Sequence, residues 1–420
     1  MRKRSVRRQI AAWMLAVSAL SACAADWPQF RGPAGDGHSA ARDLPVNWSE
    51  TENVAWKTPI AGRGWSSPAV WGQQIWLTTA LDEGKSLRAV CVDRASGQIV
   101  HDVEVFAKDN PGNINSKNSH ASPTPIVDGE RVIVHFGAHG TACLSTAGKV
   151  LWRTNELKYN HVHGPGGSPV VWQDLVILSC DGADQQFLVA LDKRTGTMRW
   201  RTDRAHTSAE RLNGESRVPM AYTTPLLVEI DGRPQVVSAA SDFVAGFEPA
   251  TGQEIWWSRY DGYSNVAMPA FGHGLIFVTS GYDEPVFFAV GAGGRGDVTE
   301  SLARWSTAKA VPLDVSPLVV GDELYLLSNG GVATCLDAVS GQVHWQKRLP
   351  GTFSASLVWA DGRIFATSED GATYVLAPGA THELLATNHV PGRVLASLAP
   401  VDREIYLRSD THLYRIEKRR

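Results

Sequence analysis

The chain has 420 residues, 43% of them hydrophobic and 20% charged, with a formal net charge of −3, the balance of a soluble globular protein with ample core. Loss of the five basic residues ahead of Cys23 leaves 35 Lys and Arg against 43 acids, which argues against a nucleic-acid partner. The 15 Trp and 39 Gly are numerous enough to need a structural cause.

Arg2, Lys3, Arg4, Arg7 and Arg8 precede an apolar run from Ile10 to Leu20. Residues 1–22 read as an export signal, because the run is shorter than the roughly 20 apolar residues that span a bilayer. Leu20-Ser21-Ala22-Cys23 is similar to the bacterial lipobox, in which the cysteine is acylated and becomes the first mature residue. Membrane contact is then expected only through a lipid on Cys23, and Ala24 after it leans toward the outer membrane; plain cleavage around Ala22-Cys23-Ala24 is the alternative. Residues 23–52 form an N-terminal extension, and 53–417 a single domain.

From there the chain repeats itself. Leu188 to Trp200 (Leu-Val-Ala-Leu-Asp-Lys-Arg-Thr-Gly-Thr-Met-Arg-Trp) is a strand, a tight turn supplied by Asp192 and Gly196, and a second strand closed by Trp200. Related pieces end at Gly97, at Trp152, at Gly252 with Trp256, and at Gly341 with Trp345. Each unit opens on a short entry motif: Ser67-Pro68, Ser122-Pro123, Ser168-Pro169, Thr224-Pro225, Met268-Pro269, Ser316-Pro317, Ala355-Ser356 and Ala396-Ser397. Four antiparallel strands per unit at this period predict an all-β, eight-bladed β-propeller. The last unit has only three strands of its own. Asn53-Val-Ala-Trp-Lys57, a closing strand that comes before the first entry motif, is expected to pair with Leu413 to Ile416 and complete the ring. Cys91, Cys143 and Cys335 share one register of the repeat, where Ala190 and Gly246 also occur, so they read as small core side chains. With Cys180 they are expected to be free, buried thiols.

Gly-Lys-x-x-Trp and Ala-Leu-Asp-x-x-Thr-Gly-x-x-x-Trp resemble the tryptophan-docking repeats of the PQQ-type β-propellers, over about residues 27–417. That superfamily holds quinoprotein dehydrogenases and the outer-membrane assembly lipoprotein BamB. Trp27-Pro-Gln-Phe-Arg-Gly-Pro33 and Gly62-Arg-Gly-Trp-Ser-Ser-Pro68 further resemble the opening of many bacterial PQQ-like repeat proteins. The repeat is specific for fold and poor for activity.

Strand order places the long polar loops on one face, a binding mouth over a rigid ring. Its candidate residues are His120, His139, His161, His163, Asp181, Asp184, Arg217 and Asp283, with His135 nearby. His161-x-His163 has a spacing that can ligate metal, but no Cys-x-x-Cys or His-Glu-x-x-His motif accompanies it. Gly291-Ala-Gly-Gly-Arg-Gly-Asp297 opens no helix and is no dinucleotide fingerprint, and no Gly-x-Ser-x-Gly elbow is present. The expected function is non-catalytic binding by a monomer, of envelope proteins or a small polar ligand, without a cofactor and with no catalytic residue assigned. The alternative is a quinoprotein oxidoreductase of an alcohol or sugar using PQQ with calcium. It lacks an adjacent Cys pair and a Cys-x-x-Cys-His haem site. PQQ's three carboxylates would also need more converging cations than Arg217 supplies.

Overall fold

A computed structural model describes residues 26–210, 214 and 216–419. The export signal and Cys23 lie outside the described residues. Eight antiparallel four-stranded sheets follow one another around a ring, the first being Ala69–Trp71, Gln74–Leu81, Ser86–Asp93 and Ile99–Ala107. Val54–Pro59 is the outermost strand of the eighth sheet, with Lys57 opposite Tyr414 and Thr58 opposite Leu413. The ring therefore closes by pairing the two ends of the domain, as the three-stranded last unit predicted. No described helix is long and apolar enough to cross a membrane.

Most inner strands are buried on both faces, whereas an outermost strand such as Met198–Asp203 is exposed or half-buried along its length. The core accordingly lies between blades. Ile133 and Cys143 of the second blade, for instance, pack with Val176, Leu178 and Val189 of the third. All four described cysteines are buried and free, as expected.

The repeat signature is a code for joining one blade to the next. Trp152 Nε1 donates to the Lys193 carbonyl at 2.9 Å, Trp200 Nε1 to Pro249 at 3.0 Å, and Trp345 Nε1 to Gly379 at 3.0 Å, each on the following blade. A Cβ on Gly196 would stand 2.5 Å from the Trp152 ring, and one on Gly252 2.4 Å from Trp200, and both glycines have φ of +74°. The Thr-Gly of one blade thus leaves room for the preceding blade's indole and adopts a backbone that side chains disfavour. His101 fills the tryptophan slot of the first blade, where a Cβ on Gly148 would meet its ring at 2.9 Å. Trp256 departs from the pattern. It is fully buried and donates to Gln235 Oε1 of its own blade at 2.8 Å, while Gly296–Asp297 lies along that blade's outer strand.

The entry motifs make a second ring, around the axis. The Ser67 amide donates to Thr124 Oγ1 at 2.9 Å, Thr124 to Ser168 Oγ at 2.9 Å, and Ser168 to Thr224 Oγ1 at 2.9 Å. After a break at Met268 the series resumes, from Met268 to Ser316 at 3.1 Å, Ser316 to Ser356 at 3.1 Å, Ser356 to Ser397 at 2.9 Å and Ser397 back to Ser67 at 3.0 Å. This corrects the register of the second blade. Its entry residue is Thr124, before Pro125, and not Ser122, because only Thr124 exchanges these bonds with both neighbours.

The N-terminal extension crosses the channel. Trp27 exchanges two backbone hydrogen bonds with Val70 at 3.0 and 2.8 Å, and the Val127 amide donates to Pro28 O at 2.8 Å. Arg31, fully buried, donates to Pro317 O and Asp36 O, both at 2.8 Å. His38–Ser39 then runs parallel to Val358–Ala360. One segment in this way touches inner strands on opposite sides of the ring.

Candidate functional site

Above that crossing segment is a funnel of about 430 Å³, within the range of small-molecule sites. Phe30 reaches it from the N-terminal segment, and the entry hydroxyls ring its wall. Trp65, Tyr222, Tyr263 and Tyr282 add aromatic surface, and Lys117, Asp283 and Asp314 are the Lys, Arg, Asp or Glu residues on its wall among those described.

The collar hydroxyls are nearly inaccessible from outside, from Ser316 at 1% to Ser168, Thr224 and Ser397 at 4% exposed. Each accepts a neighbour's amide. Ser356 passes its proton to Ser316 Oγ at 3.0 Å. The hydroxyl protons of Ser67, Thr124, Ser168, Thr224, Ser316 and Ser397 have no acceptor among the described residues. These hydroxyls line the funnel, so they can donate to an oxygen acceptor placed in it.

Lys117 spans the mouth. It comes from the loop between the first and second blades, yet Nζ meets Asp314 Oδ2 at 2.6 Å on the sixth blade's entry and Glu369 Oε1 at 3.1 Å on the seventh. Asp314 also accepts from Tyr282 OH at 3.0 Å, Asn329 Nδ2 at 2.6 Å and Ser354 Oγ at 3.3 Å. Glu369 is further held by Ser354 at 2.6 Å and Arg393 at 2.8 Å. Burial works against the Lys117 charge, but the two carboxylates outweigh it and hold its pKa above the ordinary lysine value. Burial likewise opposes ionised Glu369, and Ser354, Arg393 and Lys117 together pull it below the usual range. The loop is pinned again where Trp65 Nε1 donates to Lys117 O at 3.0 Å and Asn118 Nδ2 to His163 O at 2.8 Å.

Of the eight residues expected at the mouth, His163 and Asp283 line the funnel. Three others form a histidine group elsewhere. His120 and His139 have ring centroids 5.5 Å apart, and His139 and His161 4.9 Å. His135 lies beside them, between Thr141 Oγ1 at 2.8 Å and Tyr159 OH at 3.4 Å. Burial, with mutual repulsion second, pushes His135 and His139 down to about 3 and His161 to about 4, so all three are neutral at pH 7. Among the described residues no group of three or more His, Cys, Asp or Glu is arranged to hold a metal ion.

The remaining three are tied into the frame. Asp181 ends a strand and pairs in bidentate fashion with Arg204 at 2.9 and 3.0 Å, both side chains at most 1% exposed. Asp184 accepts the Asn160 amide at 2.6 Å and the Gln185 amide at 2.9 Å. Arg217 is buried against Asp242 and Asp261, the latter at 2.7 Å. The sequence reading missed Lys117, Asp314, Glu369 and the collar. The collar does leave a signal in the sequence, a hydroxyl residue recurring at the blade entry.

The family model described as outer membrane protein assembly factor BamB matches residues 39–179, 90–258 and 240–382, overlapping as a repeat does when slid along itself. Among solved structures, BamB from Moraxella catarrhalis superimposes with a TM-score of 0.56 at 13% identity, covering 87% of this chain and 99% of that one. The quinohemoprotein alcohol dehydrogenase from Comamonas testosteroni gives 0.56 at 13% identity, covering 94% of this chain and 81% of that one. The computationally designed Ika8 protein gives 0.57 at 13%, covering 85% and 97%. No curated protein sequence matches the chain. At such identities the structural likenesses establish the fold alone.

Proposed function

The chain belongs to the PQQ-like propeller family described as outer membrane protein assembly factor BamB, and from that premise we propose that it is a non-catalytic binding protein of the bacterial envelope. Its ligand or partner is taken at the funnel mouth. The observation that carries this reading is where the spare bonding capacity lies. Asp181, Asp184 and Arg217 are already bonded within the frame, and Asp314 and Glu369 are already met by donors. At the collar, what is left over is a set of hydroxyls, which can donate to an oxygen-bearing ligand.

PQQ with calcium does not fit these residues as they are arranged. Three carboxylates would enter a wall that already carries Asp283 and Asp314, and Lys117, the Lys or Arg residue on that wall among those described, is engaged by Asp314 and Glu369. Arg217, the cation expected from the sequence to serve this purpose, is neutralised by Asp242 and Asp261. Titration with PQQ and Ca²⁺ under a dye-linked oxidation assay separates binding from oxidoreduction, and no turnover is expected.

The basic residues before Ile10 and the Leu20-Ser21-Ala22-Cys23 motif support export and a lipid on Cys23, with the outer membrane as the proposed anchor. Mass spectrometry of the mature protein from its native host is expected to find an acylated Cys23. An unmodified N-terminus at Ala25 would mean plain secretion instead.

A further inference from the structure

Next to the funnel, between the eighth and first blades, two like charges lie over one ring of its wall. Arg63 Cζ lies 5.8 Å from the Trp65 centroid and Arg393 Cζ 5.9 Å, and Trp65 itself lines the funnel. Arg393 is balanced by Glu369 at 2.8 Å. Arg63 has no carboxylate partner among the described residues; it donates to the Ser116 carbonyl. Burial, and then the charge of Arg393, lowers its pKa below the ordinary arginine value. An unbalanced guanidinium beside another cation favours a bound anion, and guanidinium geometry suits a carboxylate in particular.

Deeper in, six collar hydroxyls can donate to acceptors, and the aromatic wall offers flat apolar surface. Asp314 is met by four donors, so it has little left for a cationic ligand. The unused groups are thus one guanidinium next to the funnel, hydroxyl donors at the collar, and aromatic faces between them. We infer that the funnel holds a sugar acid: its carboxylate meets Arg63 beside Arg393, its hydroxyl and ring oxygens accept from the collar, and its C–H face lies on the aromatic wall. This rests on the binding reading above and adds the ligand's chemical class. The shared chemistry is a carboxylate on a polyhydroxylated ring, whether free or at the end of an acidic polysaccharide.

The test is calorimetric titration of the full chain with galacturonate, galactose, acetate and trigalacturonate. Galacturonate is expected to saturate one site per chain, about tenfold tighter than galactose, the gain of one charge-assisted contact. Acetate is expected not to saturate. Arg63→Gln, at an exposed position, should bring galacturonate down to the galactose level and leave galactose binding and thermal stability unchanged. Ser397→Ala should weaken both sugars, and the fold should tolerate it, because Met268 already occupies one collar position without a hydroxyl. Trigalacturonate binding tighter than the monomer would assign the ligand to a polysaccharide end, and equal binding to a free sugar acid. Equal affinities for galacturonate and galactose, an unchanged Arg63→Gln variant, or no saturable sugar binding would overturn the inference. None of those outcomes bears on whether the protein is an oxidoreductase, which PQQ titration decides separately.

Discussion

Asp181→Ala is expected to destabilise the protein by about 3–5 kcal/mol, because it strands a buried guanidinium. The Arg204 side chain is fully buried, and besides Asp181 it reaches Ser238 Oγ at 2.8 Å, on the next blade. Burial alone raises the Asp181 pKa and Arg204 opposes that, so each ion depends on the other. Ala221, at the edge of the mouth, donates its amide to Asp181 O at 3.2 Å, which couples this pair to the funnel wall. The double variant Asp181→Leu with Arg204→Met removes both charges and is expected to recover most of the loss. Urea unfolding of Asp181→Ala and of the double variant measures this. A single-variant loss under about 1 kcal/mol would show that the pair does not hold the third and fourth blades together.

Acid should have a comparable effect through the histidine group. His135 and His139 lie near 3 and His161 near 4 in the folded protein, against 6.5 for an unfolded histidine. In this pH range the unfolded chain takes up protons that the folded chain refuses. Stability is therefore unaffected above about pH 7 and falls as pH drops from 6.5 toward 4. At pH 5 each histidine contributes a loss of about 2 kcal/mol, and the three together on the order of 4–6 kcal/mol. Urea midpoints at pH 7.5 and pH 5.0 read this directly, and His139→Gln should flatten the difference by roughly a third. Equal midpoints at the two pH values would mean that these imidazoles protonate in the folded state as freely as in water.

The ring was legible because its code is local. Asp192, Gly196 and Trp200 fall within nine positions of one another, and each carries out one task in turning a strand or docking on the next blade. Closure by Val54–Pro59 was legible for the same reason, since Trp56 gives that strand the tryptophan that Trp152, Trp200 and Trp345 give the closing strands of their blades. The register of the second blade was not, because Ser122-Pro123-Thr124-Pro125 offers two entry motifs in a row. Only the amide exchange with Ser67 and Ser168 chooses between them.

The site was harder to read because its residues meet across the ring. Lys117 finds Asp314 197 residues away, and nothing near either residue announces the other. Asp181 and Arg217 show the opposite difficulty. In sequence they are polar residues near long loops and look available, whereas Arg204 and Asp242 have already neutralised them. The Trp27 to Pro33 stretch was recognised by resemblance alone. Its physical role, crossing the channel and placing Phe30 at the funnel, follows only from Val70, Val127 and Pro317 lying on different blades.

Binding without redox turnover is measured by titrating the purified full chain with PQQ in excess Ca²⁺ and following dye reduction with alcohols and sugars. No saturable PQQ uptake at micromolar concentration and no substrate-dependent dye reduction are expected. Uptake with a Kd of about 1 μM or tighter, accompanied by dye-linked oxidation that an Asp283→Ala or Lys117→Ala variant abolishes, would contradict binding without turnover.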